Sequence, residues 1–219
     1  MARRKKITLL ACFLVVLLII PFGYIYGGMK IQLRDGRTVD VPVNKADIIS
    51  ITFEDQPMAG GGTTWDFETG DLRGWTATGN AFAYQPTFGD NPTARHRGQP
   101  SNHQGQYWIG GYEKRPRASD PQGQIQGDGP QGTLTSQHFT ITNPNISFLI
   151  GGGCDLNTER VELLIDGQVV FQATGKCTET MERMRWNASQ FMGRSAQIRL
   201  VDASGGGWGH INFDDVRFE

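Results

Sequence analysis

Glu159-Arg-Val-Glu-Leu-Leu-Ile-Asp-Gly-Gln-Val-Val-Phe-Gln-Ala173 contains two short apolar runs on either side of Asp166-Gly167. An Asp-Gly dipeptide between two alternating apolar runs is a strong signal for a β-hairpin. Pairing about this turn would bring Cys154 and Cys177 close together, so we expect a disulfide between them in an oxidising compartment. The alternative is two unrelated free thiols.

Segments of the same kind recur from residue 63 to residue 219, which we interpret as one domain. Their spacing is typical of an all-β sandwich, because short strands are separated by turns rich in glycine. In the last segment the apolar positions change phase at Asp214-Asp215, which indicates a β-bulge beside the first strand. We predict strands at 64–68, 75–83, 106–111, 133–141, 146–151, 159–165, 168–173, 181–186, 196–202 and 209–218, with a long polar loop at 113–131.

The composition agrees with a folded β protein. Glycine accounts for 29 of the 219 residues, and 38% of the chain is hydrophobic. Glycine supplies the turns between strands, while this apolar content is too high for a disordered chain. The formal net charge is -1, so the composition indicates no nucleic acid as a partner.

Residues 7–26 form an apolar run of about 20 residues, long enough to cross a bilayer as a helix. A cluster of Lys and Arg within residues 1–6 precedes the run, so we expect a cytoplasmic tail, a retained membrane anchor, and the remaining chain in the periplasm or outside the cell. Two alternatives remain open. The run could be a cleaved signal peptide, or Leu9-Leu-Ala-Cys12 could be a lipoprotein box with Cys12 acylated.

Residues 27–62 form a juxtamembrane segment. The alternation in 29–43 about Asp35-Gly36 predicts a second hairpin, and 49–53 predicts a further short strand. A glycine-rich linker at 58–63 then leads into the sandwich.

Several stretches of the 63–219 domain occur in an order that resembles a known family. They are Asp66-Phe-Glu68, Asp71-Leu72, Gly74-Trp75, 103–110, 132–136, 147–153 and 207–218. Together they resemble the jelly-roll modules attached to levanases and related fructan hydrolases, carbohydrate-binding module family 66. The resemblance implies a galactose-binding-like β-sandwich that binds sugar, with terminal fructose as the typical ligand, and that catalyses nothing. It covers about residues 64–219 and leaves the N-terminal segment outside.

The candidate sugar contacts are aromatic and polar residues beside predicted loops. Aromatic rings stack on the apolar face of a sugar, and polar side chains hydrogen-bond its hydroxyl groups. The alternatives are core tryptophans, a structural histidine and a solvated polar rim. The candidates are Trp108, Tyr112, Glu113, Asp155, Arg160, Trp208 and His210.

Four carboxylates are candidates for a structural calcium site. A bulge beside the first strand supplies carbonyl and carboxylate oxygens, which are the ligands that Ca²⁺ prefers. The alternative is ordinary turn and cap carboxylates. The candidates are Glu68, Asp71, Asp214 and Asp215.

No catalytic arrangement is evident in the sequence. Asp214 and Asp215 are adjacent on one strand and would not flank a glycosidic bond from opposite sides. The sequence therefore predicts a non-catalytic glycan-binding module on the cell surface or in the periplasm. A structural or adhesion protein that binds a protein partner is the second hypothesis, and a glycan hydrolase or its accessory protein is the third.

Overall fold

The computed structural model describes residues 29–32, 38–41 and 65–219. The first two segments are β1 (Met29–Gln32) and β2 (Thr38–Val41), which pair antiparallel as the predicted hairpin. They belong to the first of two units, 1–54 and 55–219. The predicted membrane segment 7–26 and the predicted strand 49–53 lie outside the described residues. Among the residues described, no helix is long and apolar enough to span a membrane.

The second unit is an all-β sandwich of two antiparallel sheets. One sheet has the order β10-β9-β12-β6-β3, with β7 also paired to β12, and the other has the order β11-β8-β13-β5-β4. A single helical turn, α1 (Asn91–Ala94), precedes β5. The strands are β3 (Trp75–Gly79), β4 (Thr87–Phe88), β5 (Tyr107–Gly110), β6 (Gly132–Ser136), β7 (Phe139–Thr140), β8 (Asn145–Gly152), β9 (Glu159–Ile165), β10 (Gln168–Ala173), β11 (Thr178–Asn187), β12 (Ser195–Asp202) and β13 (Ile211–Phe218).

The predicted hairpin is confirmed as β9 and β10. Asp166 and Gly167 both have positive φ, 51° and 76°, as a two-residue hairpin turn of this kind requires. The predicted disulfide between Cys154 and Cys177 is also confirmed, and it closes the base of this hairpin.

The core lies between the two sheets and follows the alternation of the strands. Every second residue of a strand faces the same way, so Val161 and Leu163 of β9 point into the core with Ile198 of β12. Phe148 and Phe213 come from the opposite sheet and pack with ring centroids 5.4 Å apart. Burial of such side chains is the main stabilising term of the sandwich.

The two ends of the domain are neighbours, but the predicted first strand is wrong. Residues 65–68 form turns, because Phe67 has φ 57° and its carbonyl accepts a hydrogen bond from the Gly70 amide. The Trp65 carbonyl still accepts a hydrogen bond from the amide of Val216 in β13. The predicted bulge is confirmed, since the β8–β13 register shifts after Asp214.

Candidate functional site

A buried histidine lies at the end of the sandwich where β5 and β12 finish and β13 begins. His210 is 2% exposed, and its Nδ1 lies 2.7 Å from Oδ1 of Asp128 in the loop before β6. Its Nε2 lies 3.4 Å from a carboxylate oxygen of Glu179 in β11. Burial alone would lower the pKa of His210, but the two carboxylates outweigh burial and raise that pKa to about 9. His210 is therefore a cation held between two anions at neutral pH.

A half-buried arginine, Arg95, joins two buried glutamates nearby. The Arg95 guanidinium donates to Glu113 at 2.9 Å and to Glu179 at 2.5 Å. Asn91 donates its side-chain amide to the other oxygen of Glu113. Burial raises the pKa of Glu113 despite these partners. Burial would also raise the pKa of Glu179, but His210 and Arg95 lower it to about 2.

Two aromatic rings flank His210, and each has a guanidinium over it. The Tyr112 and Trp208 centroids lie 5.2 and 5.6 Å from the His210 ring. Arg95 lies 4.6 Å from the Tyr112 centroid, and Arg97 lies 5.1 Å from the Trp208 centroid. These distances suit cation–π contacts. We call this group the His210 cluster, made of Arg95, Arg97, Tyr112, Glu113, Asp128, Glu179, Trp208 and His210.

Trp208 has a strained backbone. Its φ is 63°, and this left-handed conformation is rare for a bulky side chain. The glycine-rich loop around it fixes this geometry, because the Gly209 amide donates to the Gly206 carbonyl. A Cβ on Gly209 would lie 2.4 Å from the Ser204 carbonyl oxygen. Strained residues of this kind concentrate at functional sites.

A pair of carboxylates lies behind the cluster, at the end of the core. Glu159 of β9 and Asp202 of β12 are directly opposite in the sheet, and they are 1% and 2% exposed. Both oxygens of Glu159 and Oδ1 of Asp202 lack a hydrogen-bond partner within the described chain. Burial, with mutual repulsion adding for Asp202, raises their pKa values to about 7 and about 8. By contrast, Glu162 on the same sheet is held by two arginines.

The structure brings together four of the seven predicted sugar contacts: Tyr112, Glu113, Trp208 and His210. Tyr112 and Trp208 are half-buried, whereas Glu113 and His210 are 0% and 2% exposed and act within the cluster instead of facing a ligand. Trp108 is wrong as a contact, because it is fully buried against Leu149 and Met181 and its indole N–H donates to the Gly89 carbonyl.

The remaining two predicted sugar contacts, Asp155 and Arg160, form hydrogen bonds with residues close to them in the sequence. Asp155 accepts from the Asn157 amide as a turn cap, and Arg160 donates to Glu162 at 2.6 Å. These bonds match the alternative of a polar rim.

The four predicted calcium ligands separate into two pairs. Glu68 accepts hydrogen bonds from the amides of Gln106 and Tyr107, and the buried Asp214 accepts one from the amide of Gln104. Both carboxylates therefore meet the same short segment. Burial raises the pKa of Asp214 to about 8, and the charge of Glu68 adds to the effect.

Asp71 and Asp215 are instead bound by arginines. Asp71 is held by Arg73, while Asp215 is held by Arg183 and Arg217. Within the part of the chain that is described, no three His, Cys, Asp or Glu side chains are grouped as metal ligands. Of the four predicted ligands, Glu68 and Asp214 are therefore the two that contact one segment, and Asp71 and Asp215 are held by arginines instead.

Sequence reasoning missed half of the His210 cluster. Arg95, Arg97, Asp128 and Glu179 lie in loops or at a strand start, and none of them falls in a motif. Arg95 and Glu179 are 84 residues apart in sequence, so no local pattern reveals their contact. The only available signal was the concentration of arginine just after α1.

Comparison with known proteins gives one curated relative. No protein-family model matches the chain. The protein "Putative glycosyl hydrolase ecdE" of Aspergillus rugulosus is 32% identical over 156 residues, which make up 70% of this chain and 20% of that protein. The chain thus spans about a fifth of the length of the relative that it matches.

Two of the solved structures that are similar to this chain are a carbohydrate-binding module and an adhesin domain. A family 61 carbohydrate-binding module in complex with β-1,4-galactotriose has a TM-score of 0.43 and 17% identity, covering 70% of this chain and 94% of that one. The K3 adhesin domain of Lys-gingipain from Porphyromonas gingivalis has a TM-score of 0.38 and 12% identity, covering 69% and 94%. At TM-scores below 0.5 these similarities carry no functional argument.

Proposed function

We propose that this chain is a non-catalytic glycan-binding protein whose site is the His210 cluster. The observation that carries the proposal is the convergence of Tyr112, Trp208 and two arginines at one end of the sandwich. These side chains combine apolar ring surface with fixed hydrogen-bonding groups, which is the composition of a small-molecule site. The strained backbone of Trp208 adds support, because strain must be offset by the surrounding loop.

The carboxylates near the site favour binding over hydrolysis. Glycoside hydrolysis uses two carboxyl groups that flank the bond from solvent-accessible positions. Glu113 and Glu179 are already held by Arg95, and Glu159 and Asp202 are buried side by side. The name of the Aspergillus rugulosus relative favours hydrolysis as the second candidate function. Because the match covers a fifth of that protein, the shared segment is also consistent with an accessory domain.

We also propose that the sandwich lies outside the cytoplasm, anchored by residues 7–26. The apolar run and the preceding basic cluster support this orientation. The Cys154–Cys177 disulfide supports an oxidising compartment. Mass spectrometry of the mature protein tests retention of the anchor, because a new N-terminus near residue 27 would show that the segment is cleaved.

We further propose that the sandwich binds a structural calcium ion, with Glu68 and Asp214 as its side-chain ligands. Bound Ca²⁺ would supply positive charge that offsets the repulsion between the two carboxylates. The fructan specificity implied by the resemblance to family 66 remains a prediction.

A glycan array tests the proposed function. The full chain should bind at least one class of glycan, and Trp208→Ala should lose that binding. Met192→Ala is a matched control, because Met192 is 46% exposed in the loop before β12, at the opposite end of the sandwich. Both variants should keep the thermal transition of the wild type to within a few degrees. Release of reducing ends from the bound glycan would instead support the hydrolase.

A further inference from the structure

The rings of the His210 cluster are not open stacking platforms. A guanidinium lies over each of them, Arg95 over Tyr112 and Arg97 over Trp208, and His210 is a second neighbour of both. A sugar that approaches Trp208 therefore meets Arg97 as well as the ring. Recognition at this end of the sandwich must depend on the hydrogen-bonding groups that the cluster leaves free.

The two arginines differ in how much of their hydrogen-bonding capacity is used. Arg95 is bound by Glu113 and Glu179, and its side chain is 15% exposed. The Arg97 side chain is 44% exposed, and its nearest carboxylate is that of Glu179, with Nε 3.8 Å from Oε1. That distance is too long for a hydrogen bond. Within the described residues, the Arg97 guanidinium accordingly has no hydrogen-bond acceptor.

The acidic side chains of the His210 cluster are held by other partners and are not free to hydrogen-bond with Arg97. Glu113 is fixed by Arg95 and Asn91, Glu179 by Arg95, and Asp128 faces His210. The cluster thus offers a ligand a planar cation with free N–H groups. A carboxylate matches a guanidinium with two parallel hydrogen bonds, and such charge-assisted bonds are about twice as strong as neutral ones.

We propose that the ligand presents a carboxylate to Arg97, and that the glycans bound belong to the acidic class that contains uronate residues. This inference rests on the proposed function, because it names the ligand class of the same site. Arg97 is then the specificity-determining residue, and Trp208 holds its guanidinium in place. Raising the salt concentration should weaken the interaction, since Arg97 is exposed and its charge is screened.

Binding to paired glycans tests the inference. Polygalacturonate, alginate, glucuronoxylan and hyaluronan are each compared with their carboxyl-reduced forms, using the purified full chain. We expect at least one acidic glycan to bind, and its reduced form to bind at least about tenfold more weakly. Arg97→Gln should lower the affinity for the acidic form by about ten- to a hundredfold, the range expected for one lost hydrogen bond to a charged group.

Arg194→Gln is the matched control, since Arg194 is 53% exposed and pairs with Asp166 at the opposite end of the sandwich. It should leave the affinity unchanged. Three results would each overturn the inference while leaving glycan binding intact. They are equal binding of the acidic and reduced forms, binding of neutral glycans alone, and an unchanged affinity of the Arg97→Gln variant. Failure to bind any acidic or neutral glycan would overturn the proposed function and this inference together.

Discussion

The pair of buried carboxyl groups at Glu159 and Asp202 should make the stability of the sandwich depend on pH. The perturbation is the double substitution Glu159→Gln and Asp202→Asn, which keeps the shapes and removes both titrations. In the folded state the pKa of Glu159 is raised from 4.5 to about 7 and that of Asp202 from 3.8 to about 8. For Glu159 alone this difference corresponds to roughly 3 kcal/mol of free energy.

The direction in which the free energy of unfolding changes with pH follows from proton binding. The folded protein holds these protons above the pH at which the unfolded chain has released them. The free energy of unfolding therefore falls as pH rises from about 4, and it levels off above the folded pKa values of about 7 and 8. Between pH 5 and 6.5 the wild type should lose at least about 2 kcal/mol relative to the double variant, which is the value for one proton held by the pair over this range.

Urea unfolding at several pH values is the assay. The window below pH 6.5 is chosen because His210, with its pKa raised to about 9, stays protonated there in the folded state. Its titration in the unfolded chain is the same in both proteins and cancels in the difference. Glu113 and Asp214 also have raised pKa values, but they occur in both proteins and cancel in the difference. If the two stability curves run parallel from pH 5 to 8, the carboxyl pair does not titrate as described.

Three further perturbations have direct outcomes. Replacing Cys154 and Cys177 with alanine should lower the free energy of unfolding by about 3 kcal/mol, measured by urea unfolding, because their sequence separation is 23 residues; an unchanged midpoint would contradict this. Gly79→Ala should cost clearly more in melting temperature than Gly98→Ala, because both have positive φ but only at Gly79 would a Cβ lie 2.2 Å from a carbonyl oxygen; equal shifts would refute the steric argument. If calcium binds, chelation should lower the melting temperature of the wild type and leave Asp214→Asn unaffected; an unchanged wild-type curve would end the calcium proposal.

The β9–β10 hairpin was predictable because the residues that determine it are neighbours in the sequence. The runs on either side of Asp166-Gly167 alternate with the period of a strand, and the turn residues themselves adopt the positive φ that the turn needs. The same reasoning failed at residues 65–68. Trp65 and Phe67 alternate with polar residues as a strand would, but Phe67 adopts a left-handed conformation and begins a turn.

The candidate site was only partly predictable, because its contacts are long-range. Trp108 and Trp208 both follow polar or glycine-rich sequence, and nothing in that sequence shows that one is fully buried and the other half-buried. The cross-strand pair of Glu159 and Asp202 depends on the β9–β12 register, which joins segments about 40 residues apart. Arg97 comes to lie over Trp208 only through the fold.

A crystal structure of the full chain with the oligosaccharide selected by the glycan array would locate the binding site. We expect the sugar at the His210 cluster, in contact with Trp208 and with an acceptor group within 3.2 Å of an Arg97 nitrogen, a normal hydrogen-bond distance. An alternative location is the cavity of about 120 Å³ lined by Thr174, Lys176 and Glu182. A ligand bound there, with the His210 cluster free, would refute the His210 cluster as the glycan site.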